Sequence, residues 1–403
     1  MIYSKHNLGI LAFVICIIYS QFLGFNFLPY FSGLYFADSI NLLFILISVL
    51  LIMINMKNGR LIIRKDVLRV IKWPFYIFVV NIVYCYFVYS QGATMVASKT
   101  FYLLTPFFLV IALSLYVKTE EDYLILMRHM CNAMCVVACI ILLQALLSRY
   151  SIFFLKIQNA QYRAGRYRIN YGVYLQALCA IYLFENYLRE KRYSILIKFA
   201  LMMLSIIFGA NMRAMILYLL SSLAYIYWAK TGYKINIKKI VFATVGIIGI
   251  SMIIYLKRRD IAILFSEIGI TVRFDAIDYF WSQWIKHPLF GMGSFNSKNN
   301  SYLQLLDSGP LHQYYHDDVG IIGFLNYFGL FGIFCLAKLI ANMVKPINRN
   351  RTSYGIVAKG HLLFMFLSFI SISILDASRI PMLAILAIEC INSNRHLEVN
   401  DGI

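Results

Sequence analysis

Charged residues are scarce in this chain. Asp, Glu, Lys and Arg make up 14% of its 403 residues, against about 25% in soluble domains. Acidic residues are the scarcer kind, with 18 Asp and Glu against 37 Lys and Arg. Hydrophobic residues supply 61% of the chain. This composition excludes an ordinary soluble domain and indicates an integral membrane protein.

The apolar residues occur in runs of about 20, which is long enough to cross a bilayer as α-helices. The alternating segments of about ten residues that are typical of outer-membrane barrels are not seen. The sequence therefore predicts an all-α, polytopic membrane helix bundle that forms a single transmembrane domain over residues 1–403. The first run is too long, and lacks the small-residue cleavage site, for a removable signal peptide. We predict about twelve spans, at 8–27, 39–56, 73–90, 101–117, 123–148, 171–188, 194–210, 212–229, 239–256, 319–343, 357–375 and 379–393.

Most of the basic residues fall in alternate connecting segments, such as 57–72, 189–198 and 230–239. Because Lys and Arg accumulate in cytoplasmic loops, this pattern predicts that both termini are cytoplasmic. The net charge of +19 is thus explained by the basic residues of the cytoplasmic loops, and no nucleic-acid partner is predicted. Two outer loops follow from this topology, a large one at about 257–318 and a smaller one at about 149–170.

Several cations depart from this rule because they lie in the outer loops or near the outer ends of spans. Arginine dominates among them, and its planar fork suits bidentate contact with phosphate. These residues predict an anionic ligand at the outer face. The candidates are Arg163, Arg166, Arg168, Arg213, Arg258, Arg273 and Arg379.

Five of these arginines also have a simpler interpretation. Arg163, Arg166 and Arg168 are also typical of a juxtamembrane cluster that contacts lipid head groups. Arg213 alternatively extends to the interface along its aliphatic stem. Arg379 alternatively forms an ion pair with Asp376 at the start of the last span.

His316, Asp317 and Asp318 lie together at the start of the predicted tenth span. An imidazole and two carboxylates at a membrane surface are suited to act as a general base on a sugar hydroxyl. The two aspartates are equally suited to cap the following helix. No spacing argues for a metal site, and no cofactor is predicted. Four tyrosines beside the arginines and His316 are candidate platforms for stacking sugars: Tyr162, Tyr167, Tyr314 and Tyr315.

The order of these motifs resembles the O-antigen polymerases and O-antigen ligases, bacterial membrane glycosyltransferases. The resemblance rests on the segment 163–170 before a span and on Asn211-Met-Arg213 at a helix junction. It rests most on a series of elements in the last third of the chain. These are Arg273, Trp281, His287-Pro288-Leu-Phe-Gly291-Met-Gly293, His316 and Gly329-Leu-Phe-Gly332.

The resemblance implies a multi-span glycosyltransferase (GT-C-like) in the bacterial inner membrane that works at the outer face on undecaprenyl-diphosphate-linked oligosaccharide. It implies that the arginines neutralise the leaving diphosphate, an electrostatic contribution that needs no metal. It implies that His316, or a carboxylate such as Asp317, Asp318 or Asp275, orients or deprotonates the acceptor. Membrane lipid and a chain-length regulator are the further partners that it suggests.

Polymerase and ligase differ in the acceptor, which is a second lipid-linked repeat unit or a lipid A-core sugar. The poor match to the ligase-like histidine context favours the polymerase. A flippase of lipid-linked oligosaccharide is the alternative from another class. It predicts charges that are distributed along several spans, often with repeat symmetry.

Overall fold

The computed structural model describes residues 2–20, 36–59, 63–154, 162–163, 166–169, 171–210, 212–232, 268–298, 300–310, 313–350, 352–370, 373 and 375–400. Fourteen α-helices account for most of these residues. They are α1 (Ile2–Tyr19), α2 (Phe36–Lys57), α3 (Lys65–Tyr89), α4 (Ala93–Thr100), α5 (Thr105–Tyr116), α6 (Glu120–Leu147), α7 (Val173–Glu190), α8 (Tyr193–Leu204), α9 (Arg213–Thr231), α10 (Ile268–Lys286), α11 (Ser301–Ser308), α12 (Gly320–Arg349), α13 (Ser353–Phe369) and α14 (Ile380–Asn400).

Among the described residues, six helical stretches are long and apolar enough to cross a membrane. They are Asp38–Lys57, Lys65–Tyr89, Ala93–Tyr116, Glu120–Tyr150, Tyr193–Ala210 and His316–Ile347. Shorter apolar helices cover His6–Tyr19, Ser353–Phe369 and Ile380–Ser393. The prediction of a helical membrane protein is confirmed at this level. The predicted span at 239–256 lies outside the described residues.

Several helices extend beyond the spans that hydropathy predicts. Helix α3 begins at Lys65 rather than at 73, and α12 continues to Arg349 rather than ending at 343. The stretch from Ala93 to Tyr116 includes a 3-10 turn at Phe101–Leu104 between α4 and α5. Half of the residues added to α3 and α12 are polar or charged, so they continue a helix but weaken the apolar signal. The large predicted outer loop contains two helices, α10 and α11.

Helix α14 lies at the centre of the bundle. Its residues from Ile380 to Ser393 are buried on every side, and α14 packs against α5, α6, α12 and α13. A helix that is apolar all round is typical of such an enclosed position.

Irregular backbone interrupts the bundle at two places near the candidate site. Helix α12 breaks at Gly329, which has φ 59° and ψ −160°. Helix α8 ends in a π-turn, Ser205–Ala210. Interruptions of this kind are frequent at functional sites.

Candidate functional site

The His287–Gly293 loop is held against the break in α12 by backbone hydrogen bonds. Met292 N–H donates to Asn326 O over 2.6 Å, and Gly293 N–H donates to Tyr327 O over 2.9 Å. On the other side of the break, Leu330 N–H donates to Pro288 O over 2.9 Å. The loop thus supplies backbone hydrogen-bond partners at the point where α12 loses its own helical hydrogen bonds.

The glycines of this motif face each other. A Cβ atom on Gly291 would lie 2.4 Å from the carbonyl oxygen of Asn326, and one on Gly329 would lie 2.5 Å from the backbone nitrogen of Gly291. Both residues also have positive φ, 70° and 59°, which glycine adopts at little cost. The Gly-Met-Gly motif therefore has a structural role in joining the loop to α12.

Two amide side chains of the α3 region hold the same loop from the other side. Asn81 donates to Ser294 O over 3.1 Å and accepts from Ser294 N–H over 2.7 Å. Gln91 pairs with the backbone of Asn296 in the same way, over 2.7 and 3.0 Å. The loop is thereby fixed between α3 and α12.

His316 is enclosed by its neighbours. Its ring stacks on Phe280 and Tyr327, with centroid distances of 3.9 and 3.7 Å. Its Nε2 lies 2.9 Å from Asn326 Oδ1, while Asn326 Nδ2 donates to Phe280 O over 2.9 Å. The amide nitrogen of Asn326 donates to Phe280, so its oxygen is the atom that faces His316. An amide oxygen only accepts, and Nε2 of His316 is therefore the protonated donor in this hydrogen bond.

Asp307 completes this group from α11. Its carboxylate accepts a hydrogen bond from Tyr327 Oη and another from Ser297 Oγ, each over 2.9 Å, and Oδ1 lies 3.8 Å from His316 Nδ1. We call Phe280, Asp307, His316, Asn326 and Tyr327 the His316 cluster. The cluster joins α10, α11 and α12 through side chains that contact or hydrogen-bond one another. Residue His316 is only 6% exposed within it.

Asp317 and Asp318, directly after His316, are exposed. Asp318 Oδ1 lies 3.8 Å from Arg273 Nη2, and both side chains are about half exposed, 50% and 49%. Neither the 3-10 turn His316–Val319 nor α12 has a side-chain cap. The capping alternative for these two aspartates is therefore wrong.

Arg379 is completely buried just before α14. Its Nη1 donates to the carbonyl oxygens of Ser368 and Ser373, over 3.4 and 3.2 Å, and Nη2 donates to Ser368 Oγ. The guanidinium carbon lies 5.0 Å from the centre of the Tyr174 ring. The arginine is thus fixed in place by carbonyl oxygens and an aromatic face rather than by a surface contact.

Asp376 lies in the turn that leads to Arg379. The backbone of this turn is held by Tyr19 Oη, which donates to Ser378 O over 2.9 Å, and by Asn41 Nδ2, which donates to Ala377 O over 2.7 Å. Burial raises the pKa of the Asp376 carboxyl, against the hydrogen bonds from Ser378 and the charge of Arg379. The carboxyl thus lies where ionisation is costly and a cation is close.

Tyr174, whose ring faces Arg379, has further charged groups within electrostatic range. The charged groups that act on its hydroxyl are Arg379, Asp376, Asp318 and Arg168. We call these four residues and Tyr174 the Tyr174 cluster. Asp317 in turn has Asp376 and Lys99 of α4 among its electrostatic neighbours.

Arg168 reaches this region from the smaller predicted outer loop. A hairpin pairs β1 (Tyr162–Arg163) with β2 (Arg166–Tyr167). After it, Arg168 Nε donates to Ala210 O over 3.3 Å, and Ile169 N–H donates to Gly209 O over 2.9 Å. The segment is therefore docked on the π-turn that precedes α9.

Some predicted site residues are described only in part. The side chains of Tyr162, Arg163, Arg166 and Arg213 and the whole of Arg258 lie outside the described part of the chain. The backbone of Arg213 starts α9, three residues after the Ala210 carbonyl that binds Arg168. Their roles stay predictions.

The remaining predicted residues differ in accessibility. Tyr315 is 63% exposed beside Asp317, whereas Tyr314 packs on Tyr279 at a centroid distance of 5.4 Å. Tyr167 packs edge-on against Phe153 at 4.8 Å. Asp275 is exposed on α10. Of the four tyrosines, Tyr315 is thus the one whose ring is described as open to a ligand.

Sequence reasoning missed Tyr174 and placed Asp376 only as a partner of Arg379. The signal for Tyr174 was its place in the first turn of a helix that follows an arginine cluster. Within the described residues, no three His, Cys, Asp or Glu side chains are grouped so as to hold a metal ion. No protein-family model matches the chain, and no curated protein matches it.

Proposed function

We propose that the protein is a glycosyltransferase of the O-antigen polymerase type, which joins undecaprenyl-diphosphate-linked repeat units at the outer face of a bacterial inner membrane. The observation that carries the proposal is the Tyr174 cluster, in which Arg379 lies 5.0 Å from the centre of the Tyr174 ring and the charges of Arg168, Asp376 and Asp318 act on its hydroxyl. Such a site offers cations for a diphosphate and carboxylates for an acceptor hydroxyl.

In the proposed reaction, the oxygen of an acceptor hydroxyl bonds to the anomeric carbon of the donor sugar. The bond between that carbon and the diphosphate oxygen breaks, and its electron pair leaves with the diphosphate. The hydroxyl proton passes to a carboxylate, for which we favour Asp317 and Asp318 over the equally exposed Asp275 because they adjoin the Tyr174 cluster. A general base must lie within hydrogen-bond reach of the proton that it accepts. His316 is a poorer candidate because its imidazole is stacked between Phe280 and Tyr327 and buried.

The arginines then have different roles. Arg273 and Arg168 are accessible enough to contact the phosphate groups, since Arg273 is 49% exposed and Arg168 is partly exposed. Arg379 is 0% exposed, so it contributes positive potential behind Tyr174. Fixed charge in a site of low dielectric stabilises developing negative charge more strongly than it does in water.

The flippase alternative gains one observation, because charged side chains also lie inside the bundle. Glu185 of α7 lies 2.6 Å from Lys230 of α9, and His361 of α13 lies 2.9 Å from Glu389 of α14. Ionisable groups at membrane depth often mark a transport path. Each of these groups is paired with another helix, however, which favours a role in holding the helices together.

A lipopolysaccharide gel from a strain that lacks the protein tests the proposal. A band with a single repeat unit supports the polymerase. Free polymer on the carrier lipid indicates the ligase, and loss of every outer-face intermediate indicates the flippase. Complementation with Arg273→Gln should fail to restore long polymer fully, whereas Lys286→Gln, another exposed cation of α10, should restore it.

A further inference from the structure

A second charged region lies at the other end of α7. Tyr174 is at the start of this helix and Glu190 is its last residue, so the two ends are about 24 Å apart at 1.5 Å per residue. At the far end, α6, α7 and α8 enclose a cavity of about 440 Å³. The cavity is therefore separate from the Tyr174 cluster.

The walls of this cavity are strongly basic. Four basic side chains line it, Arg128, Arg189, Arg192 and Lys198, against one acidic side chain, Glu190. Glu190 is shared between two of them, since Oε1 lies 3.2 Å from Arg189 Nη2 and Oε2 lies 3.4 Å from Arg192 Nε. One carboxylate therefore leaves an excess of positive charge in the cavity.

Neutral partners position two of the cations. Arg189 Nη2 donates to Asn186 Oδ1 over 2.5 Å, and Lys198 Nζ donates to Asn132 Oδ1 over 2.6 Å. An amide oxygen orients a cation without neutralising it, so the charge of Lys198 stays available to a ligand. Helix α8 also begins here, with Ser194 and Ile195 in the cavity wall, and a helix N-terminus favours an anion.

We propose that this cavity binds a phosphate-bearing anion, either the head group of an anionic phospholipid or a free phosphate compound. The inside-positive rule accounts for basic residues at this end of the bundle. It does not account for a cavity that gathers four of them around a single carboxylate. The volume is ample for a phosphate group, and guanidinium forks are well matched to its oxygens.

The test uses the purified full chain in phosphatidylcholine nanodiscs. Short-chain phosphatidylglycerol, short-chain phosphatidylcholine and inorganic phosphate are the three probes, and binding is followed by native mass spectrometry and by the thermal midpoint. The site variant is Arg189→Gln, Arg192→Gln, Lys198→Gln. The control, Arg64→Gln, Arg69→Gln, Lys72→Gln, removes the same charge from the start of α3 and the residue before it.

We expect wild type and control to bind phosphatidylglycerol at least about tenfold more tightly than phosphatidylcholine, a difference of about 1.4 kcal/mol. The site variant should lose this preference. Competition by inorganic phosphate would identify the phosphate group alone as the ligand, and its failure to compete would identify the lipid. Equal loss in site and control variants, or a wild type that shows neither this preference nor binding of inorganic phosphate, would overturn the proposal. If the triple variant does not fold, the exposed Arg128→Gln replaces it and should weaken binding severalfold.

Discussion

The His316 cluster and the Tyr174 cluster meet at one turn of the chain, His316–Val319, and use polar side chains in different ways. In the first, His316 is stacked on both faces and bonded to Asn326. In the second, Asp318 is exposed, as is the preceding Asp317, and both have other charges as neighbours. Polar groups whose hydrogen bonds are already made within the protein stabilise the fold, whereas exposed charges are available to a substrate. His316 thus stabilises the fold, whereas the adjacent Asp317 and Asp318 act in catalysis in our proposal.

The largest effect is expected from Arg379→Gln, which removes the buried charge of the Tyr174 cluster. We expect polymer formation per folded protein to fall by about 10²–10³-fold, as for the loss of one stabilising group in an active site. The rate of undecaprenyl diphosphate release by the purified protein measures this. Arg379→Lys keeps the charge and should be the milder variant. Full activity of the glutamine variant would show that the charge of Arg379 does not contribute to the reaction.

The double variant Asp317→Asn, Asp318→Asn is expected to reduce the same rate by about 10²-fold, since it removes both candidate proton acceptors. Asp278→Asn, an exposed carboxylate on α10, is the control and should leave the rate unchanged. A normal rate in the double variant would show that neither aspartate acts on the acceptor.

Gly291→Ala tests the connection between the loop and α12. The new Cβ would lie 2.4 Å from Asn326 O at a positive φ, so we expect a loss of about 2–3 kcal/mol in the free energy of unfolding. Gly59 also has positive φ but nothing within 4 Å of its Cβ position. Gly59→Ala should therefore cost less in thermal midpoint, and an equal cost would argue against the close contact.

His316→Gln sharpens the comparison between the two clusters. Loss of ring stacking on Phe280 and Tyr327 should cost about 0.5–1.5 kcal/mol for each contact, seen as a lower thermal midpoint. The transfer rate per folded protein should change much less than in the aspartate double variant. A fully stable but inactive His316→Gln protein would instead identify the histidine as the base.

The smallest effect is expected from Arg273→Gln. Its ion pair with Asp318 is half exposed, and exposed pairs contribute about 0–1 kcal/mol. We expect a fall in transfer rate of about fivefold and no change with Lys286→Gln. Equal losses in both variants would indicate a general effect of charge on α10.

Much of the fold follows from the sequence because a bilayer requires long apolar helices. Eleven of the predicted spans overlap helices of the structure, and six helical stretches of the described residues are long and apolar enough to cross a membrane. The site was harder to predict. The motif Gly291-Met-Gly293 gives no indication that it pairs with Gly329, since that contact is long-range. The role of Tyr174 depends on residues that lie as far away as 318 and 379. A single sequence does not reveal such contacts, because neither periodicity nor composition depends on them.

The central claim is that the diphosphate binds at the Tyr174 cluster. A cryo-EM reconstruction of the protein with a bound undecaprenyl-diphosphate-linked repeat unit tests it most directly. The account predicts diphosphate density within hydrogen-bond distance of Arg168, with the sugar beside Asp317 and Tyr315. Diphosphate density at the Arg189 cavity, or an acceptor hydroxyl bonded to the His316 imidazole, would contradict it.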